Sequence, residues 1–120
     1  ELDRRAVGAA ARALVQLGVR EWACLHFPEG ACACSSAGEL VWQRGVRLPA
    51  ADVAGTAGAG DAFAAGVLYG LHEEWRMPQA LELGVCAAAA SLRHPTCSEA
   101  VGSLASCLAL GRTHGLTELQ

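Results

Sequence analysis

Between Gly55 and Leu68 the chain reads Gly-Thr-Ala-Gly-Ala-Gly-Asp-Ala-Phe-Ala-Ala-Gly-Val-Leu. Glycines alternate with small residues up to Asp61, and an apolar run suited to a helix follows. The first amides of any helix lack intrahelical partners and sit at the positive end of its dipole. The amides of Gly58, Ala59, Gly60 and Asp61 are therefore expected to point outward, as a phosphate site requires. Glycine lets the backbone approach an anion closely and adopt positive φ. A carboxylate at the same end, Asp61, is suited to take a proton from an attacking hydroxyl. Phosphoryl transfer draws most of its catalysis from positioning and charge stabilisation. The same residues would also permit close helix packing, with Asp61 an ordinary capping residue. No Lys follows, so this is not a Walker P-loop, and the spacing is not G-x-G-x-x-G.

The elements around this segment can be read in order. Asp3 is placed to cap a first helix in which Val7, Ala10, Ala11, Leu14 and Leu17 recur at helical period. Leu2 and Val7 have the hydrophobic-staple spacing, and Gly18 stands where a left-handed stop belongs. Glu21–Phe27 reads as a mostly buried strand, Pro28-Glu29-Gly30 as a turn, and Ala31–Ser36 as a second strand. Ala37-Gly38 turns the chain again, Leu40–Gln43 returns, and Arg44–Leu48 alternates like an edge strand. Ala50–Gly60 is loop. A long helix is expected over Ala59–Trp75, and Pro78 suits the first turn of the next. Leu81, Val85, Ala88, Ala89 and Leu92 line one face of that helix, and Pro95 ends it. Ser98 is expected to cap a last helix carrying Val101, Leu104, Ala105 and Leu108, with Gly111 as its stop. A helix, three or four strands and three helices make an α/β pattern. These strands are too few for a complete parallel sheet.

The 120 residues make one domain or a piece of one, 52% apolar and 18% charged, which excludes a disordered chain. Net charge is −3 with no basic cluster, so a charge-built nucleic-acid surface is not expected. There is no Lys, Asn or Ile; all nine basic residues are Arg, and no N-glycosylation site exists. The apolar runs Ala62–Leu71 and Leu83–Leu92 are about half the length of a membrane span. The first residues, Glu1-Leu2-Asp3-Arg4-Arg5, lack the basic-then-apolar pattern of a signal peptide, and the expected location is the cytoplasm. The chain does not begin with Met, as a fragment would not. Cys24, Cys32, Cys34, Cys86, Cys97 and Cys107 show no C-x-x-C pair. They read as small apolar thiols of a reduced protein, with a zinc or redox site as the alternative.

The Gly55–Leu68 segment resembles the C-terminal signature of the PfkB (ribokinase-like) carbohydrate kinases, Asp-Thr-x-Gly-Ala-Gly-Asp followed by small and apolar residues. Thr56, Gly58, Ala59, Gly60, Asp61, Ala65 and Gly66 match it. More loosely, Leu17-Gly18-Val19 before a strand, the Glu29-Gly30 turn and the Ala-rich helix ending near Leu92 fall in family order. The resemblance implies a ribokinase-like three-layer αβα sandwich, of which residues 1–120 are the C-terminal, nucleotide and anion-hole half. The N-terminal sugar-binding part would be absent. It implies ATP-dependent phosphorylation of a sugar or sugar-like alcohol, with Asp61 as catalytic base and Gly58, Ala59 and Gly60 as anion hole. Magnesium accompanies such phosphate chemistry. The partners implied are a small sugar and ATP, not nucleic acid or a membrane.

Two departures carry consequences. Gly55 stands where the family has an Asp that helps hold a monovalent cation, so potassium activation is expected to be weak or absent. Leu25-His26-Phe27-Pro28-Glu29-Gly30 replaces Thr-Leu-Gly-x-x-Gly, and only Gly30 matches. His26 reads either as a packed strand-end residue or as a phosphate contact. Arg93 and His94 fall where relatives place the wall of the adenine pocket, as nucleotide contacts or as a solvated helix end. Trp22, Trp42 and Trp75 read as packing residues, with a homodimer contact the alternative for Trp42. Glu73-Glu74 reads as solvated. The rival function is a non-catalytic nucleotide- or partner-binding protein on the same fold, and the isolated chain is expected to be inactive.

Overall fold

The computed structural model describes residues 2–96 and 98–119. Cys97 lies outside them. The order is α1 (Arg4–Gln16), β1 (Trp22–Phe27), β2 (Gly30–Ser35), β3 (Leu40–Arg44), α2 (Ala59–His72), α3 (Met77–Leu92) and α4 (Leu104–His114). A short 3₁₀ turn, Ala50–Asp52, interrupts the loop before α2.

The three strands pair antiparallel in the order β1-β2-β3. Leu25 faces Cys32 across the first pair, and Cys32 faces Trp42 across the second. Side chains alternate between faces along a strand, and both faces are covered. Cys32, Cys34, Leu25, Phe27, Leu40 and Trp42 pack under Val7, Ala11 and Val15 of α1. On the opposite face, Ala31 and Ala33 pack against Phe63 and Val67 of α2 and Leu81, Val85 and Ala88 of α3. This is helix, sheet, helix: three layers of the expected sandwich. α4 lies on the outer side of α3, joining Cys107 and Leu110 to Leu83, Cys86 and Ala90.

Several expected boundaries hold. The Asp3 carboxylate accepts from the Ala6 amide at 3.0 Å, and Gly18 has φ +117°. Others move. In α1 the buried face is Gly8 and Ala11, with Val7 and Val15 half-buried, while Ala10 is exposed, Leu14 is 37% exposed and Leu17 84%. The reason is spatial: Gly8 lets the helix sit close on Leu40 and Trp42, which rotates Leu14 and Leu17 outward. α2 ends at His72, three residues early. The Arg44–Leu48 strand shrinks to one bridge, Val46 with Leu116.

In α3, burial extends all round from Leu83 to Ser91, because the sheet, α2 and α4 enclose it. Its small residues make that possible. A Cβ added to Gly66 of α2 would lie 2.8 Å from the Cα of Gly84 in α3, so the two helices touch backbone to backbone. α4 starts later than expected: Ser103, not Ser98, is its cap, accepting from the Ser106 amide at 3.2 Å. Gly111 does not stop it. It lies inside α4, where a Cβ would come within 3.3 Å of the Cys86 Sγ, and Gly115 ends the helix.

Trp42 lies under the Arg4 guanidinium at 4.6 Å and edge-on to Phe27. Its ring is thus engaged within the chain. Of the five described cysteines, Cys32, Cys34, Cys86 and Cys107 are buried as free thiols, and Cys24 is half-buried. Among the described residues no helix is long and apolar enough to cross a membrane.

Candidate functional site at the start of the second helix

The glycine-rich segment forms the first turn of α2. Gly58 is its cap, with φ +82° and ψ 0°. That left-handed conformation costs an ordinary L-residue roughly 1–2 kcal/mol, so glycine belongs there. No side chain caps the helix. The Gly58 carbonyl accepts from the Ala62 amide at 2.9 Å, closing the first turn. Among the described residues, no loop or cap hydrogen bond is donated by the amides of Gly58, Ala59, Gly60 or Asp61. At Gly60 an added Cβ would meet nothing within 4 Å. Asp61 is the third helical residue, exposed, and its carboxylate pairs with no described side chain.

The turn is fixed from behind. The amides of Ala54 and Gly55 both donate to the Leu92 carbonyl, at 2.8 and 3.3 Å, tying the entering loop to the end of α3. Gly55 passes close to the turn after α3: a Cβ there would lie 3.0 Å from the Pro95 Cα. A carboxylate side chain at this position would require that turn to shift. Two residues beyond Asp61, Phe63 is buried in the core. The His26 ring stacks on it, with centroids 4.5 Å apart and planes 8° from parallel.

Three cavities open around this turn. One of about 440 Å³ is lined by Gly58, Asp61, Ala65, Tyr69, Leu83 and residues leading into α4, Ser98 and Val101 among them. A second, about 340 Å³, lies between the β1–β2 turn and α3. Its lining includes His26, Phe27, Pro28, Thr56, Ala59, Ala88, Ala89 and Leu92. A third, about 430 Å³, includes Trp22, His26, Gly60, Ala64 and Leu68. Asp61 and the three preceding residues thus stand together at one place. His26 is exposed, and the partial desolvation of its ring against neighbouring groups lowers the imidazole below its usual 6.5.

Arg93 and His94 are not brought into these cavities. Arg93 donates to the carbonyls of Ala100, at 2.9 Å, and Ala90, at 3.5 Å, while the His94 ring bonds the Thr96 hydroxyl at 2.8 Å. Both organise the turn after α3, one and two residues beyond the lining Leu92. Ser98, expected as a helix cap, instead faces the Asp61 cavity. That placement depends on how α4 returns over α3, and no local pattern announces it. Phe63, the platform for His26, is legible in the sequence only as an apolar position on α2.

Similarity to known proteins gives the family and the fold. Over 80 residues the chain is 39% identical to a 5-dehydro-2-deoxygluconokinase of Geobacillus kaustophilus (strain HTA426), covering 67% of this chain and 23% of that protein. A 5-dehydro-2-deoxygluconokinase of Geobacillus thermodenitrificans (strain NG80-2) is 38% identical over 79 residues, with the same 23% of its length covered. The chain therefore spans about a quarter of the length of these curated relatives. Among solved structures it is similar to the Arabidopsis thaliana ribokinase complexed with ribose and ATP, with TM-score 0.76 and 22% identity over 90% of this chain and 34% of that one. It is also similar to the Thermotoga maritima ribokinase, with TM-score 0.74 and 20% identity over 88% and 34%. At such identities these structures show the fold, which is ribokinase-like. Residues 3–103 match the pfkB family of carbohydrate kinases, and the chain belongs to that family.

Proposed function

We propose that the protein carrying this chain transfers the terminal phosphate of ATP to a hydroxyl of a sugar or sugar-like alcohol. Asp61 is the general base and Gly58, Ala59 and Gly60 form the anion hole. The observation that carries this reading is the first turn of α2. A left-handed Gly58, open space at Gly60 and an Asp61 carboxylate with no partner among the described residues occur together within four residues. Partial charge on the open amides favours the anionic phosphate. Asp61, one step along the same turn, accepts the proton of the attacking hydroxyl. As that proton leaves, negative charge grows on the transferred group, and the fixed amides stabilise it without reorganising.

The nucleotide fits the cavity beside Thr56 and Ala59. Its walls of Val85, Ala88, Ala89 and Leu92 suit an apolar base face, and it opens toward the α2 turn. Arg93 and His94 follow the lining Leu92 in sequence without entering the cavity, and are proposed as outer contacts. Magnesium, which neutralises nucleotide phosphates in such reactions, finds no cluster of three His, Cys, Asp or Glu among the described residues. These residues make no metal cage by themselves, and no step is assigned to the ion. Gly55 and its contact with Pro95 leave no carboxylate for a monovalent cation, so potassium dependence is not part of this reading. The sugar-binding part is proposed to lie in the N-terminal portion of the full-length protein.

The test is a panel of sugars with ATP and the full-length protein, following ADP release. 5-Dehydro-2-deoxygluconate comes first in the panel, since the curated relatives are named for it. Asp61→Asn is expected to lower kcat by about 10²–10⁴-fold with little change in stability, since Asn also suits the first turn. Near-normal turnover in that variant would remove Asp61 from the mechanism. The second reading, a non-catalytic nucleotide-binding protein, draws on Gly55 and on the altered Leu25–Gly30 turn. It predicts ATP binding without ADP release for every sugar.

A further inference from the structure

Two of the three cavities at the α2 turn share a polar side chain, His26. It stands near the end of β1, beside Ala59 on one side and Gly60 on the other. Its orientation is set by stacking: the ring lies flat on Phe63, 4.5 Å between centroids. Phe63 is itself 5% exposed and held by the close passage of Gly84, where an added Cβ would touch its ring at 2.9 Å. Neither His26 nitrogen has a hydrogen-bond partner among the described residues. The ring is exposed, so water serves these nitrogens in the free protein and a bound phosphate can take that water's place. An apolar ring would stack on Phe63 equally well.

We propose that His26 is a phosphate-binding residue, donating a ring N–H to the terminal phosphate of the bound nucleotide; this rests on the kinase reading above. The position follows from the two cavities. The nucleotide occupies the one bordered by Thr56 and Ala59, and its terminal phosphate must reach the open amides at Gly60. His26 borders both, so it meets the phosphate at the crossing. The neutral imidazole suffices, since it carries one N–H, and the stack holds the plane in which that N–H lies.

The experiment uses the full-length protein and two variants. His26→Phe keeps a flat ring on Phe63 and deletes both nitrogens. His26→Gln restores an N–H donor without the ring. Calorimetry measures the affinity of each for ADP and for a non-hydrolysable ATP analogue, alongside the thermal midpoint. A hydrogen bond to a charged group corresponds to about tenfold or more in affinity. His26→Phe is expected to weaken the ATP analogue by about that factor, leave ADP within about twofold, and melt with wild type. His26→Gln is expected to recover part of the loss. Equal affinities in His26→Phe and wild type overturn the proposal, as does an equal loss for both nucleotides. Loss of folding in both variants assigns His26 to packing and also overturns it. A wild-type protein that binds neither nucleotide overturns the kinase reading and this inference with it. Wild-type binding with an unaffected His26→Phe removes His26 alone.

Discussion

Replacing Gly60 by Ala separates what the first turn of α2 does for folding from what it does for chemistry. A Cβ at Gly60 meets nothing within 4 Å, and its φ is not in the left-handed region. Gly→Ala at a compatible site stabilises by about 0.4–1 kcal/mol, mainly by restricting the unfolded chain. Stability should therefore rise or hold. The same methyl group would occupy the space onto which the amides open. A transferred phosphate then loses close approach to them, and losing one such donor costs about 10²–10³-fold in kcat. Gly66→Ala is the control. Its Cβ would meet backbone, 2.8 Å from the Gly84 Cα and 3.0 Å from the Leu83 carbonyl oxygen, and no rotamer can relieve that. Overpacking costs about 1–3 kcal/mol, partly offset by about 1 kcal/mol of helix propensity. Urea unfolding of the full-length protein gives the stabilities, and sugar-dependent ADP release gives the activities. The expected pattern is opposite in sign: Gly60→Ala stable and slow, Gly66→Ala destabilised. A Gly60→Ala protein with wild-type kcat/KM would refute the anion-hole reasoning, and one destabilised like Gly66→Ala would refute the open geometry.

Burial pushes the Cys32 and Cys86 thiols up to about 11, desolvation being the main cause at each. In the native protein they should stay protonated and react slowly with a thiol reagent at pH 8, then rapidly once urea exposes them. The unfolded thiols ionise near 9, so the native state holds more protons between pH 9 and 11 and stability should fall across that window; a constant midpoint over it would contradict their burial. The 120-residue chain alone is expected to release no ADP in a sugar-dependent way. Its β1 has no strand partner on its outer edge among the described residues, and Leu14, Leu17, Leu68 and Leu71 are exposed, so light scattering should show association. Robust turnover by the pure chain would place the substrate site within these residues.

Legibility differs by kind of signal. Where one residue decides a local conformation, the amino-acid pattern is sufficient. Asp3 caps because its carboxylate reaches an amide three residues on, and Gly58 precedes α2 because the cap is left-handed. The α2 turn belongs to this class, which is why residue types and spacing alone single out Gly58–Asp61. Features set by neighbours distant in the chain are not readable in this way. Ser98 and Ser103 are equally good caps in isolation. α4 uses Ser103 because the helix must pass over Cys86 with Gly111 at the closest point. In α1, helical period allows Leu14 and Leu17 to face inward, and Gly8 against Leu40 and Trp42 decides otherwise. The cavities are of the same kind, since each is bounded by at least two elements remote in sequence.

The residues most separated in sequence are also the ones that position Asp61. The general base proposed here must be held within roughly 0.5 Å to be useful, and a glycine-rich loop cannot supply that stiffness alone. Here it comes from three sides. The Leu92 carbonyl grips the amides of Ala54 and Gly55 before the turn. Phe63, two residues after Asp61, is anchored between His26 and Gly84. One turn further on, Gly66 locks α2 against α3 at backbone contact. Glycine therefore plays opposite parts within a short stretch of chain. At Gly58 and Gly60 it leaves the amides open, and at Gly66 it removes the side chain that would hold the helices apart. The loop has the open backbone that the proposed anion site requires, and the helix behind it is closely packed.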